Sequence, residues 1–184
     1  MKRFLDATVG LDDCHHIIRV TGDNPLTDPS FIIHMATYQS KESLDYTYTR
    51  QIPRGTRAEV ISRNYLAYLH KIIPDRLNTE YMTYYLLQDV GQRRAEYRDK
   101  ALPSIDCHNL TIDTRDDLNY MRNLLENFRN PHLVSLEHIV DFINAEGLLR
   151  EDTKEAVGLM IPSNFIIKRE RIGSDGPYGH GSEQ

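Results

Sequence analysis

The stretch Ile17-Ile18-Arg19-Val20-Thr21-Gly22-Asp23-Asn24-Pro25-Leu26-Thr27-Asp28-Pro29 decides how the chain is built. Ile17, Ile18 and Val20 form a short β-branched run suited to a buried strand. Thr21 to Pro25 are turn formers that end it, and Asp28-Pro29 supplies a helix N-cap followed by proline at the first helical position. The order is strand, loop, helix. In open α/β sheets ligands bind beyond the carboxyl ends of strands, so Asp23 stands where a carboxylate can hold a metal or a substrate hydroxyl.

The alternation continues on both sides of Pro29. Phe31, Ile32, Met35 and Tyr38 recur at helical spacing over Ser30 to Gln39. Leu44 to Thr49 has the aromatic and β-branched content of a strand, and Pro53-Arg54-Gly55 breaks it before a second strand at Ala58 to Ile61. The segment between these strands reads as an active-site loop. Ser62 caps a helix whose Tyr65, Leu66, Leu69, Ile72 and Ile73 share a face until Pro74 stops it. A further helix runs from Asn78 or Thr79 through Glu80 to Gln88, closed near Gly91. Asn109 to Ile112 reads as a short strand followed by Asp113, which repeats the placement of Asp23. Thr114-Arg115-Asp116-Asp117 then has the form of a capping box, before the apolar face of Leu118, Met121, Leu124, Leu125 and Phe128. A last helix runs from a Ser135 cap through Leu136, Ile139, Val140 and Ile143 to Gly147.

The 184 residues suffice for one domain with a core, and 40% hydrophobic with 27% charged is an ordinary globular balance. The start MKRFLDATVG has no apolar signal region, no run reaches bilayer length, and the chain reads as cytoplasmic without a membrane partner. Cys14 and Cys107 lack CxxC partners and fit reduced thiols. A net charge of -5 argues against nucleic-acid binding, which needs a basic face. Gly173 to Gln184, glycine-rich and polar, reads as a flexible tail.

Magnesium takes oxygen ligands, commonly one or two carboxylates with water and phosphates completing the shell. Asp23 and Asp113 are such a pair, and parallel strands would bring their carboxyl ends together from distant segments. On spacing alone they read more readily as two turn or capping aspartates. Other constellations carry less. His15 and His16 are adjacent and would point to opposite faces of a strand. Asp106-Cys107-His108 has triad residue types without the separate segments that a triad uses. Tyr81, Tyr84 and Tyr85 fit the packed face of a short helix. Gln92-Arg93-Arg94 with Arg98 reads as a solvated basic face.

Four blocks in order, IIRVTGDNPLTDP, DYTYTRQIPRGTRAEV, NTEYMTYYL and TIDTRDDLNYMRNL, resemble the sugar cytidylyltransferases of the spore coat polysaccharide biosynthesis protein F type. Those are relatives of the CMP-Kdo and acylneuraminate cytidylyltransferases, and the resemblance spans roughly Phe4 to Glu146. It implies an α/β fold of nucleotide-diphosphosugar transferase type, an α/β/α sandwich. It also implies Mg2+-dependent transfer of CMP from CTP to a sugar or sugar acid for surface polysaccharide synthesis. Residues 1–149 would then be a partial cytidylyltransferase-like domain and 150–184 a C-terminal extension.

Carried over by position, Asp23 in TGDNP corresponds to the aspartate that binds magnesium beside the CTP phosphates, and Asp113 in TIDT to the second metal aspartate. Arg54, Gly55 and Glu59 fall in the PRG-x-x-x-E loop on the sugar side, and Glu80 in the E-H-x-T-P-Y block. Arg57 stands where the family often has aspartate and Tyr81 where it often has histidine, departures that bear on the acceptor, and Tyr84 replaces the proline of the second block, a departure that bears on its turn. The family's basic glycine loop, of the form QARMGSTRLPGK, cradles the phosphates through N–H groups and basic side chains. This sequence has no such segment, so the expectation is a fold lacking its N-terminal nucleotide-binding strands. Two functional readings follow: a cytidylyltransferase polypeptide complemented by an N-terminal segment, or a noncatalytic interaction module without CTP affinity. An incomplete sheet would expose edges and apolar faces, so the isolated chain is expected to associate or to be poorly stable.

Overall fold

The computed structural model describes residues 1–73, 82–88, 92–100, 109–131 and 134–148. In chain order the elements are α1 (Lys2–Asp6), β1 (His16–Arg19), α2 (Pro29–Lys41), β2 (Tyr46–Tyr48), β3 (Glu59–Ser62), α3 (Arg63–Ile72), α4 (Met82–Gln88), β4 (Arg94–Glu96), α5 (Arg115–Leu125) and α6 (Leu136–Ala145). The expected tail and extension from residue 150, and the expected helix start at Asn78 to Glu80, lie outside the described residues.

Local chemistry sets the helix starts where the sequence put them. Asp28 accepts from the amides of Ser30 and Phe31, Ser62 from Tyr65, and Ser135 from His138. Each such cap is worth about 1 kcal/mol against alanine. Thr114 and Asp117 close the reciprocal capping box at α5.

The strands form one sheet in the order β1-β3-β2-β4. The sheet is mixed, which corrects the expectation of parallel strands. β3 runs antiparallel to both neighbours, pairing Arg19 with Glu59 on one side and Tyr46 with Ile61 on the other, while β2 and β4 are parallel. β1, β2 and β4 therefore point the same way, and their carboxyl ends share one edge of the sheet. β3 starts from that edge. The loops after β1 and β2 and the first residue of β3 all meet there.

Two further corrections concern strands. Asn109 to Ile112 is not a ladder strand; Asn109 makes one isolated parallel bridge to Arg54. The amides of Leu110 and Ile112 go instead to the carbonyls of Arg54 and Asp23 in two loops. Conversely, Arg94 to Glu96 is a strand not expected from the sequence, although Arg93, Arg94 and Arg98 are exposed, as expected of the solvated basic face read at Gln92 to Arg94 with Arg98. The strand's three residues carry no apolar alternation, and side chains outside it fix its pairing. The buried Asp45 carboxylate accepts from the Arg93 amide over 2.9 Å. Gln51 makes two 2.7 Å bonds to the backbone of Asp99.

The core lies in three clusters. Ile17, Tyr46, Ile61, Tyr65, Leu66, Leu69 and Leu86 fill the layer between the sheet and α3 and α4. Phe31, Met35, Ile52 and Val60 fill the layer under α2, with Leu136 and Val140 of α6. Leu110, Met121, Leu124, Ile139 and Ile143 join α5, α6 and the 109–113 segment. Helices thus cover both faces of the sheet. β1 is an end strand of the described sheet, and Ile18 and Val20 there are about half exposed.

Candidate functional site

Asp23 sits in the turn after β1. Its backbone carbonyl accepts from the Ile112 amide over 3.0 Å, which sets the 109–113 segment beside the turn. The neighbouring residues hold the turn itself: the Asn24 amide donates to the Thr21 carbonyl at 3.1 Å, and the Thr27 hydroxyl to the Asn24 carbonyl at 2.9 Å. The Asn24 side chain donates to the Arg57 carbonyl over 3.2 Å and so joins the turn to the loop before β3. Asp23 Oδ1 is buried and has no hydrogen-bond partner among the described residues. Such an oxygen costs free energy unless something else satisfies it.

Asp113 follows Ile112 and is exposed. The capping alternative for this aspartate is taken up by its neighbours, because Thr114 and Asp117 fill the cap of α5. Asp117, buried, accepts through Oδ2 from the amides of both Asp113, at 2.9 Å, and Thr114, at 2.6 Å.

Gly55 explains how the two loops come so close. Its φ is +86°, and a Cβ there would stand 2.1 Å from the Leu110 carbonyl carbon and 2.3 Å from the Thr111 nitrogen. Only glycine fits both demands. Arg54, beside it, offers its carbonyl to the Leu110 amide at 2.7 Å and keeps its side chain exposed. Arg57 braces the same loop, donating from Nε to the Ile52 carbonyl at 2.7 Å and from Nη2 to the Arg50 carbonyl at 3.2 Å.

Glu59, at the first position of β3, is held at both oxygens. Arg19 Nη1 lies 2.5 Å from Oε2, and the Tyr46 hydroxyl donates to Oε1 at 2.5 Å. Arg19 Nη1 also donates to Thr83 Oγ1 of α4 at 3.2 Å. Burial, reinforced by the charge of Glu59 and the hydrogen bond to it, pushes the Tyr46 phenol far above its ordinary range, so Tyr46 stays a proton donor. A cavity of about 180 Å³ opens over this cluster, lined among others by Arg19, Thr21, Asn24, Tyr48, Arg57 and Glu59.

Of the residues singled out from the sequence, Asp23, Arg54, Gly55, Glu59 and Asp113 lie on three segments joined by direct hydrogen bonds or strand pairing at one sheet edge. Glu80 lies outside the described residues, as do Tyr81, Asp106, Cys107 and His108. His16 does not pair with His15 around a metal: its ring contacts Gln39 Nε2 at 3.0 Å and Ser40 Oγ at 2.9 Å on α2. Among the described residues no three His, Cys, Asp or Glu side chains gather as a metal cluster. Arg19, Tyr46 and Asp117 were not singled out. The register Arg19 to Glu59 needs the strand pairing to be known; Asp117 was legible as a cap, though not as a partner of Asp113.

No family model matches the chain. It is 29% identical over 133 residues to the spore coat polysaccharide biosynthesis protein SpsF of Bacillus subtilis (strain 168), covering 70% of this chain and 54% of that protein. It is 29% identical over 129 residues to the uncharacterized protein MJ1063 of Methanocaldococcus jannaschii, covering 70% of this chain and 53% of that one. The chain spans about half the length of the curated relatives it matches. A solved cytidylyltransferase from Leptospira borgpetersenii serovar Hardjo-bovis superposes with a TM-score of 0.72 at 21% identity, over 83% of this chain and 65% of that structure. That likeness gives the fold, a mixed α/β sheet of the nucleotide-diphosphosugar transferase type. Among the described residues no helix is long and apolar enough to cross a membrane. The chain is thus similar in sequence to the Bacillus subtilis protein and shares the fold of the solved cytidylyltransferase.

Proposed function

We propose that the chain forms the metal and acceptor side of a cytoplasmic, Mg2+-dependent cytidylyltransferase that moves CMP from CTP to a sugar or sugar acid for surface polysaccharide synthesis. The observation that carries this reading is the buried Oδ1 of Asp23, without a partner among the described residues, in a residue whose backbone carbonyl accepts from the amide of Ile112 just before Asp113. Two carboxylates from neighbouring segments suit a hard cation whose remaining ligands are phosphate oxygens and water. When bound there, the ion would neutralise charge on the phosphates of CTP. Asp23 and Asp113 would hold it, and the capped start of α5 would keep Asp113 in place.

The acceptor belongs in the cavity over Arg19 and Glu59. Both Glu59 oxygens are already engaged, so Glu59 acts by holding Arg19 and Tyr46 rather than by receiving a sugar hydroxyl itself. Arg54 and Gly55 shape the loop beside this cavity, and Glu80 belongs to the segment leading into α4. The departures at Arg57 and Tyr81 bear on which sugar is accepted. The phosphate-cradling loop would come from a segment outside these 184 residues, joined to them or on another chain.

The test is pyrophosphate release from CTP by the chain joined to a basic glycine-loop segment of the family, with Mg2+ and a panel of sugars and sugar acids. Release that needs Mg2+ and is lost in Asp23→Ala and Asp113→Ala is expected. No release with any acceptor, together with no CTP-induced rise in melting temperature, would leave a noncatalytic interaction module as the correct reading.

A further inference from the structure

We propose that Asp117 is a positioning residue for the Asp113 carboxylate, an inference that rests on the metal reading of Asp23 and Asp113. Three consecutive amides approach the site. Ile112 donates to the Asp23 carbonyl at 3.0 Å, and Asp113 and Thr114 both donate to Asp117 Oδ2, at 2.9 and 2.6 Å. The last two amides belong to the two peptide planes that flank the Asp113 Cα. One oxygen therefore fixes both planes, and with them the direction of the Asp113 Cα–Cβ bond.

An ordinary capping box asks less of its fourth residue. There the acid reaches back to the amide of the cap residue alone, here Thr114, while the cap hydroxyl accepts from the acid's own amide. That second half is present, Asp117 donating to Thr114 Oγ1 at 3.2 Å. The added bond to the Asp113 amide lies outside the helix and contributes to the loop. Asp117 is only 7% exposed, so water competes little for these bonds. Partners of this kind, one step behind a ligand, typically change metal affinity about 10–100-fold when lost.

Mn2+ binding to the full chain, read by the electron paramagnetic resonance of free Mn2+ well below the melting temperature, tests this. Wild type is expected to bind, and Asp23→Ala and Asp113→Ala to lose binding; if wild type does not bind, the metal reading itself fails. Asp117→Ala is expected to weaken Mn2+ at least about 10-fold. Asp117→Asn keeps an oxygen for the same two amides and is expected to stay within about 3-fold of wild type, since the bonds rather than the charge do the positioning. Thr114→Ala removes the other half of the capping box, so it should lower the melting temperature while leaving Mn2+ affinity within about 3-fold.

Should Asp117→Ala not fold, Asp117→Glu takes its place: glutamate keeps a favoured capping box but carries the carboxylate one methylene further out, so affinity falls with the melting temperature held. Wild-type affinity in Asp117→Ala, or in Asp117→Glu where that variant replaces it, would overturn the proposal. So would a loss in Thr114→Ala as large as that in Asp117→Ala.

Discussion

The Ile112 amide lies 3.0 Å from the Asp23 carbonyl and donates to it, tying together two segments far apart in sequence. Neither residue's side chain makes this contact. It is a backbone bond between a turn and an irregular segment, and it places Asp113 directly after the residue bonded to Asp23, whose Oδ1 is buried without a partner among the described residues.

Asp23 should therefore cost stability in the absence of a cation. A buried oxygen left unsatisfied is unfavourable by about 1–3 kcal/mol, and a carboxylate more so than an amide. In the presence of a chelator, Asp23→Asn is expected to be as stable as wild type or more stable by about 1 kcal/mol. Adding Mg2+ should raise the melting temperature of wild type and not of the variant. Urea denaturation with and without the cation reads both; a variant less stable than wild type in chelator would show that Asp23 is a structural turn residue.

Gly55 is where the loop before β3 meets the 109–113 segment. With φ at +86° and a Cβ only 2.1 Å from the Leu110 carbonyl carbon, Gly55→Ala must push the segments apart. The loss is expected to be at least about 2 kcal/mol, from left-handed strain plus the clash. Because the displaced segment carries Asp113, any Mn2+ affinity should fall along with stability. An alanine variant with wild-type urea midpoint would contradict the close approach.

Helix starts were legible from the sequence because each rests on short-range chemistry: Asp28, Ser62, Thr114 and Ser135 cap the helices that their spacing announced. The strands after Pro53 and before Pro25 were legible from β-branched runs. β4 was not, because Arg94, Ala95 and Glu96 owe their extended form to Asp45 and Gln51 from distant segments. The 109–112 segment failed in the opposite sense: its residues suit a strand, but its amides at Leu110 and Ile112 are taken by loops. Asp23 and Asp113 were picked out from strand ends and from family resemblance; the bonds that join their segments depend on the packing around Gly55.

Arg19 and Glu59 form a pair with side chains only 18% and 12% exposed. Removing one partner leaves the other buried without its charge, so Arg19→Met is expected to cost about 2–3 kcal/mol. Glu59→Gln in the same background should cost less than the sum of the two single changes, since the lone buried carboxylate is then gone. Additive losses in that double-mutant cycle would show that the two side chains do not act as a unit.

Tyr46 donates to Glu59 Oε1 at 2.5 Å, and the folded state holds its proton well beyond the ordinary phenol value. The unfolded chain releases that proton near pH 10. Below that pH both states keep the proton and the contribution of Tyr46 is fully present. As pH rises above it, the unfolded state binds fewer protons than the folded one, so stability falls by about 1.4 kcal/mol per pH unit for this one group. Tyr46→Phe has no proton to lose there. At pH 8 it should be less stable than wild type by about 1–2 kcal/mol, from the lost bond to a charged acceptor. Between pH 10 and 11 the gap should close, because only wild type keeps losing stability through this group. Urea midpoints of both proteins across pH 8–11 measure it. A gap that stays constant over that range would mean that Tyr46 titrates alike in the folded and unfolded chain, and that its hydrogen bond to Glu59 does not persist in solution.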